Sequence, residues 1–239
     1  MDNMTIWEFG AHTAPSAVKK TTSDGYPHSS INATYMAKKA TELFGPIGTG
    51  WGYDIIEERY DDAGPLFDVN NGELLCHAKN HTILLRLWYK IGNEVGTVSQ
   101  FGHTKYIYKS KYGFTVDSEA PKKTLTDAMK KCLSLLGFSA DIFLGQFDDQ
   151  DYVEAQAAKE ELEKADNRAE VQTKQEMEYK DWFNNTIRLM EESKTLPMLE
   201  GLFKTAVRKA NARNDKKAIL RFTETKDKMI AKIEEIQNG

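Results

Sequence analysis

The sequence predicts an α+β protein: an antiparallel β-β-β meander covered by a helix, with an opening helix before it and a small all-α module after it. Strand-like runs rich in aromatic and β-branched residues lie between residues 51 and 103, and amphipathic helical patterns flank them. Beyond Tyr152 the composition shifts to Glu, Lys, Ala and Gln. With 239 residues, of which 40% are hydrophobic, the chain can bury a sizeable core.

The N-terminal part predicts an arm followed by a helix. Residues 1–30 mix Thr, Ser, Gly, Pro and Lys without helical or strand periodicity, and we expect a mostly extended arm there. From Asn32, which we expect to cap the helix, apolar residues recur at helical spacing as far as Phe44. Gly45-Pro46 then ends this opening helix.

Three strands are predicted to follow in meander order. They are Trp51–Tyr60, His81–Lys90 and Glu94–His103, whose residues are mostly aromatic, branched or alternating. The acidic segment Asp61–Glu73 contains Gly, Pro and Asn and predicts a loop, while Ile91-Gly-Asn-Glu94 is typical of a hairpin turn.

A covering helix completes the predicted core, which spans residues 31–153. The Gly/Lys/Tyr-rich segment Thr104–Ala120 predicts a connection, and Pro121–Leu136 predicts an amphipathic helix that stops at Gly137.

The remainder predicts helices only. Residues 154–180 are helix-prone but nearly lack an apolar stripe, which favours a charged helical linker. Residues 181–239 contain three amphipathic stretches, with Pro197 in the first turn of the middle one and a break at Asn214-Asp215. We expect a small helical module here.

The sequence contains neither a phosphate-binding loop nor a recognisable catalytic nucleophile. Gly45–Gly52 is rich in glycine but lacks the Lys-Ser/Thr of a phosphate-binding loop and follows a helix instead of preceding one. No serine or cysteine has the context of a nucleophile, so we expect a protein that is not an enzyme and needs neither ATP nor another cofactor.

Two metal-dependent alternatives stay open at this stage. Cys76, His77, His81 and His103 have residue types that bind zinc, although their spacing contains no C-x-x-C pair. Acidic residues between positions 54 and 68 suit a metal-dependent nuclease, although a solvated sheet face has the same pattern; they are Asp54, Glu57, Glu58, Asp61, Asp62 and Asp68. An oligomeric scaffold protein is a third class.

The cysteines and the hydropathy pattern predict a soluble cytosolic protein. Cys76 and Cys132 lie among apolar residues without disulfide-like spacing, so we expect buried thiols in a reducing compartment. No apolar run is long enough to span a membrane, and residues 1–10 lack a basic apolar leader.

Positive charge is clustered although the chain is slightly acidic, with 32 Lys+Arg against 36 Asp+Glu. Between Thr104 and Lys131 only three acids oppose seven lysines, and Tyr106, Tyr108, Tyr112 and Phe114 lie among them; the lysines are Lys105, Lys109, Lys111, Lys122, Lys123, Lys130 and Lys131. Lysines neutralise phosphates and aromatic rings stack on any base, so this segment favours sequence-independent binding of single-stranded nucleic acid. A solvated loop and helix face would have the same composition.

Several motifs resemble those of the Rad-fifty-two-like single-strand annealing proteins. Thr126–Leu133, Leu136-Gly137 and Asp149–Tyr152 resemble the closing helix and following turn of that family. Ala40–Gly45 with Gly50-Trp51 is similar to its opening helix, and Val95–Gly102 falls where the family has its last strand. Ile31–Tyr35 and Gly45–Tyr53 are closer still to a phage branch of these recombinases; the resemblance covers residues 27 to 153.

The resemblance implies ATP-independent annealing of complementary strands in phage-type homologous recombination and DNA repair. It also implies homo-oligomers, as rings or helical filaments, in a bacterial host cytoplasm, with single-stranded DNA held by its backbone in a basic groove. The family's roles transfer to Lys122, Lys123, Lys130 and Lys131 of the closing helix.

This sequence departs from the eukaryotic relatives at two positions. Ser134 stands where they have a basic residue, and the arginine of their opening helix falls near Tyr35. Either Lys38, Lys39 and Arg86 compensate, or the path of the DNA differs.

The C-terminal module is basic over part of its length, and its candidate partner-binding residues are Lys204, Arg208, Lys209 and Arg213. Similar tails of phage annealing proteins contact an exonuclease or the host single-strand-binding protein, which we therefore expect as partners. A second DNA contact or a solvated face is the alternative.

Overall fold

The structure, a computed structural model, describes residues 2–23, 26–68, 71–110 and 113–238. The chain divides into two compact units. The N-terminal unit comprises Met1–Thr13 and Ala17–Leu144, and the C-terminal unit comprises Ala14–Ser16 and Gly145–Gly239.

The N-terminal unit combines helices with two antiparallel sheets. Its elements are, in chain order, α1 (Thr5–Gly10), β1 (Val18–Ser23), β2 (Tyr26–Ile31), α2 (Ala33–Phe44), β3 (Trp51–Phe67), β4 (Leu74–Ile91), β5 (Glu94–Ser110), β6 (Gly113–Val116), α3 (Ala120–Leu135) and α4 (Ala140–Phe143). A 3-10 turn (Pro15–Ala17) precedes β1, and of its residues Ala17 belongs to this unit. Within the described residues, β1 and β2 pair as a hairpin and β3, β4, β5 and β6 form one sheet in that order. The predicted α+β class, with a meander and a covering helix, is confirmed.

The meander strands are longer than predicted. β3 continues into the acidic segment predicted as a loop and ends at Phe67, and within this stretch Thr82 Oγ1 donates to Asp61 Oδ2 (2.6 Å) and Lys79 Nζ lies 3.0 Å from Asp62. The loop prediction holds for the described residues between Phe67 and β4. The predicted connection after residue 103 begins as the second half of β5, and β6 pairs with its end. Cross-strand partners therefore extend the strands through residues whose composition is typical of turns.

The arm predicted for residues 1–30 contains α1 and the β1–β2 hairpin instead of a uniformly extended chain. Two glycines let α1 approach the end of α3. A Cβ on Gly137, whose φ is +94°, would lie 2.6 Å from Trp7 Cα, and a Cβ on Gly10 would lie 3.0 Å from Phe138 Cα. This packing joins residues more than a hundred positions apart, so no local periodicity indicates it.

The sheet has two distinct faces. Leu85, Leu87 and Gly102 point toward α3, and we call this side the inner face. Arg86 and Phe101 alternate with them along the strands and are exposed; we call this side the open face. The core of the unit therefore lies between the inner face, α2 and α3.

The two thiols differ in exposure. Cys132 is fully buried on the side of α3 that packs on the sheet, and burial raises the pKa of its thiol. Cys76 is half-buried in β4 and not fully buried as predicted, because it lies beyond the part of the sheet that α3 covers.

The C-terminal unit consists of helices, as predicted. They are a 3-10 turn (Gln146–Asp148), α5 (Gln150–Lys164), α6 (Arg168–Glu191), α7 (Leu196–Ala212) and α8 (Lys216–Asn238). The predicted charged linker at residues 154–180 falls within α5 and α6, and residues 145–153, predicted as the end of the core, lie in this unit. Asn214 has a φ of +56°, and Asp215 Oδ1 accepts from Ala218 N (3.0 Å), so the predicted break at these residues is confirmed.

Among the described residues, every helix is too short or too polar to cross a lipid bilayer.

Candidate nucleic-acid interface

The candidate interface is built around α3. Its buried residues recur every four positions, at Ala120, Thr124, Ala128 and Cys132, and this stripe packs on the inner face of the sheet. Two lysine pairs fall beside the stripe and not on it: Lys122 with Lys123, and Lys130 with Lys131. Within α3 the only acidic residue is Asp127, so the amphipathic pattern itself collects positive charge on one helix.

Three of these four lysines have carboxylate partners. Lys122 lies 3.2 Å from Glu119, Lys123 lies 2.6 Å from Asp117, and Lys131 lies 2.8 Å from Asp127. Lys130 has no carboxylate within ion-pair distance in the part of the chain that the structure describes. The lysine side chains of these pairs are 39% to 80% exposed, and ion pairs at the surface contribute only about 0–1 kcal/mol each. Phosphate groups can therefore compete for these lysines at little cost.

Asp117 and Lys123 form the best-defined pair. The hydrogen bond from Lys123 holds the pKa of the Asp117 carboxyl below its usual value, and the same bond raises the pKa of Lys123. Asp117 N donates to Tyr106 O (2.8 Å), so the pair is attached to β5. This attachment fixes where the first turn of α3 meets the sheet.

Two of the predicted DNA-binding residues lie on the open face, away from α3. Lys105 is three positions from Gly102 in unbroken register, which places it on the opposite side of the sheet. Arg86 lies on the same open face, and its guanidinium is 3.4 Å from Asp54. The predicted basic cluster is thus divided by the sheet, because Lys105 lies on the open face whereas α3, with its four lysines, packs on the inner face.

The other predicted residues lie elsewhere. Lys38 and Lys39, on α2, share Glu42 as their partner at 3.7 and 3.2 Å, and Lys39 Nζ is 5.5 Å from the centre of the Phe9 ring. Lys109 lines a small cavity of about 220 Å³ with Phe67 and Phe114 at the far end of the sheet. Lys111 lies outside the described residues.

Sequence reasoning missed basic residues outside the cluster. Lys19 and Lys20 are exposed on β1, and Lys79 lies on β4 opposite Ile107. The adjacent pair Lys19-Lys20 is a signal that the sequence contains, but it falls in the segment predicted as a mostly extended arm outside the core.

The acids of the nuclease alternative are distributed over both faces. Arg59 binds two of them on the open face, through Nη1 to Glu57 (2.6 Å) and through Nε to Asp61 (2.7 Å). Asp54 pairs with Arg86, and Glu58 is on the inner face, 2.8 Å from His81 Nε2. Among the described residues no three His, Cys, Asp or Glu side chains are grouped closely enough to hold a metal ion.

The four residues of the zinc alternative are also separated. His81 is completely buried on the inner face, whereas His103 pairs with Thr82 and belongs to the open face. Cys76 and His77 lie beyond them toward the far end of the sheet, opposite Leu66 and Pro65.

Most of the predicted partner-binding cations make contacts inside the C-terminal unit. Arg208 Nε bonds to Asp151, and Lys209 Nζ lies 3.6 Å from Glu154, so both connect α7 to α5. Arg213 covers the Tyr179 ring at 4.3 Å. Lys204 is exposed and has no carboxylate partner within the described range. These contacts give Arg208 and Lys209 a structural role that charge counting alone does not reveal.

Tyr179 makes the stability of the C-terminal unit depend on pH. Burial of the ring and the negative charge of Asp215, which accepts the hydroxyl hydrogen bond (3.2 Å), raise its pKa to about 12. The unfolded value is about 10, so the folded state retains the proton more strongly. The stability contributed by the neutral phenol is complete below about pH 10 and is lost as the pH rises toward about 12.

We expect the melting temperature of the helical unit to fall between pH 10 and pH 12, and Tyr179→Phe to remove part of that fall. Circular dichroism melts across this range measure it, with Tyr53→Phe in the N-terminal unit as the control. Equal slopes for wild type and Tyr179→Phe would contradict the assignment.

The sequence matches no protein-family model and none of the curated proteins.

Proposed function

We propose that this protein binds single-stranded DNA without sequence preference and anneals complementary strands without ATP. The observation that carries the proposal is α3, a helix with four lysines and one acid whose opposite stripe is fixed to a sheet. A rigid cationic helix offsets the phosphate repulsion that keeps two strands apart.

The mechanism that we propose breaks and forms no covalent bond. The lysines of α3 bind one strand through its backbone, its bases stay accessible, and a second strand samples registers until Watson–Crick pairing stabilises one of them. We further propose that several copies act together as a ring or filament. The resemblance of residues 27–153 to phage annealing proteins supports these steps, as well as a role in recombination in the bacterial cytoplasm.

We propose a different role, partner binding, for the C-terminal unit. We assign to it contacts with a phage exonuclease or with the host single-strand-binding protein, for which Lys204 is the best-placed cation because it is exposed and has no acidic partner in the described structure.

The main test removes the second lysine pair of α3. Lys130→Ala/Lys131→Ala is expected to weaken binding of a single-stranded oligonucleotide about tenfold or more at low salt. It should also reduce the slope of log affinity against log salt by about 1.4, which is the loss of two single-strand phosphate contacts. Fluorescence anisotropy measures both quantities, and a nucleotide-free annealing assay with complementary oligonucleotides measures the activity.

Lys216→Ala/Lys217→Ala is the matched control. This adjacent exposed pair at the start of α8 changes the net charge by the same amount. If both variants weaken binding equally, net charge and not α3 determines the affinity. If wild type does not prefer unpaired DNA at low salt, the proposed function is wrong.

A further inference from the structure

An aromatic patch lies on the inner face of the sheet, beyond the first turn of α3. Tyr60 packs against His81 at 4.9 Å and against Tyr106 at 4.8 Å, measured between ring centres. His81 is completely buried, while Tyr60 is 46% exposed. The buried His81 ring therefore supports the Tyr60 ring, which is itself partly open to solvent.

A β-bulge creates the patch. Lys79 pairs with Ile107 and the next residue, Asn80, pairs with Lys105, so Tyr106 is an extra residue on β5. Bulges redirect side chains, and here the bulge brings Tyr106 to the Tyr60 ring on β3 although β4 lies between the two strands.

Hydrogen bonds hold the buried support in place. Glu58 Oε1 lies 2.8 Å from His81 Nε2, and Thr124 Oγ1 of α3 donates to the His81 carbonyl (3.3 Å). With its base fixed in this way, the Tyr60 ring presents an aromatic surface whose orientation is set before any ligand binds, which lowers the entropic cost of binding.

Cations flank the patch on two sides. Lys79 is two residues from His81 on β4 and lies opposite Asp62, which is two residues from Tyr60 on β3. On the other side Lys123 pairs with Asp117, whose N–H donates to the Tyr106 carbonyl. A partly exposed ring near lysine side chains that are 40% and 56% exposed suits single-stranded nucleic acid, because the ring can stack on a base and the lysines can bind the adjacent phosphates.

We propose that Tyr60, supported by Tyr106 and His81, is a base-stacking site for an unpaired nucleotide, with Lys79 and Lys123 binding the phosphates on either side. This inference rests on the proposed function and adds to it a second kind of contact, made to bases. A base stacked on Tyr60 is withheld from pairing, so the site would hold the strand while neighbouring bases are sampled.

The test separates base contacts from phosphate contacts. Two fluorescent oligonucleotides of equal length are compared, one of thymidines and one made entirely of abasic sites, which has the same phosphates but no bases. Tyr60→Leu, which keeps apolar volume but loses the aromatic face, is expected to weaken binding of the thymidine strand about tenfold. Binding of the abasic strand should stay unchanged, and Tyr60→Phe, which retains the ring, should bind both strands as wild type does.

Each other outcome has a defined meaning. Equal weakening of both strands by Tyr60→Leu overturns the stacking site, as does unchanged binding of the thymidine strand, and in both cases the proposed function stands. If wild type binds neither strand, the proposed function fails as well. A second variant, Tyr106→Leu, removes the ring that supports Tyr60 and should reproduce the selective loss to a smaller extent.

Discussion

Gly102→Val is expected to lower the free energy of unfolding of the N-terminal unit by about 3 kcal/mol or more, because it inserts volume where α3 touches β5. A Cβ at this position would lie 2.5 Å from Thr124 O, 2.7 Å from Ala128 N and 2.8 Å from Ala128 Cβ. Two of these three atoms belong to the helix backbone, so no side-chain rotation can relieve the overlap.

The helix cannot shift easily at this point. Thr124 Oγ1 donates to the carbonyl of His81 on β4 (3.3 Å), and Asp127 Oδ2 accepts from His103 N on β5 (3.3 Å). Displacing α3 would break these bonds and expose the buried stripe of α3 that packs on the sheet, Ala120, Thr124, Ala128 and Cys132. It would also move the lysines of the candidate interface, so single-strand binding should weaken along with stability.

Gly64→Val is the matched control. Gly64 is an exposed glycine of the same sheet, and a Cβ there would have no atom within 4 Å. Urea unfolding followed by circular dichroism should show a loss for Gly102→Val and a change of less than about 0.5 kcal/mol for Gly64→Val. If the two substitutions cost the same, close packing of α3 on β5 is not what limits stability.

The parts of the fold that the sequence predicted are those set by local chemistry. α2 begins where Asn32 Oδ1 accepts from Thr34 N (2.9 Å), and α3 follows from the amphipathic pattern of its residues. The Gly92 turn between β4 and β5 has a φ of +59°, as hairpin composition indicates. In each case the decisive residues are neighbours in sequence.

The parts that sequence reasoning could not reach depend on register. Side chains alternate between the two faces of a strand, so whether Lys105 faces α3 depends on its being an odd or an even number of residues from Gly102. A single bulge at Tyr106 reverses this alternation for the residues that follow. The Tyr60–Tyr106 contact crosses 46 positions and a third strand, so composition could indicate that aromatic residues were present but not that these two meet.

Asp141→Ala is expected to destabilise the N-terminal unit by about 3 kcal/mol. It removes a buried carboxylate, whose hydrogen bonds are stronger than those of a neutral group, and it leaves both buried donors of Thr13 without this acceptor. Two of its hydrogen bonds come from Thr13, whose N–H donates to Asp141 Oδ2 (2.7 Å) and whose Oγ1 donates to Oδ1 (2.6 Å), and Ile142 N also donates to Oδ1 (2.9 Å). Thr13 and Asp141 are 1% and 2% exposed, so water cannot replace the lost acceptor without local opening.

Local unfolding in this variant should occur where the N-terminal segment contacts the residues after α3. Ser139 N donates to Gly10 O (2.8 Å) and Asp141 N to Ala11 O (3.1 Å), so residues 10–13 run along the segment after α3. Hydrogen exchange of the amides at positions 139 and 141 should be faster in Asp141→Ala than the exchange of the same two positions in wild type, while amides in the centre of β4 stay protected. Thr13→Val, which keeps the N–H but loses the hydroxyl, should cost about 1–2 kcal/mol, and Asp148→Ala, at an exposed position, less than about 0.5 kcal/mol. If Asp141→Ala leaves this exchange unchanged, the carboxylate does not hold the N-terminal segment, and packing of Trp7 on Gly137 must be sufficient by itself.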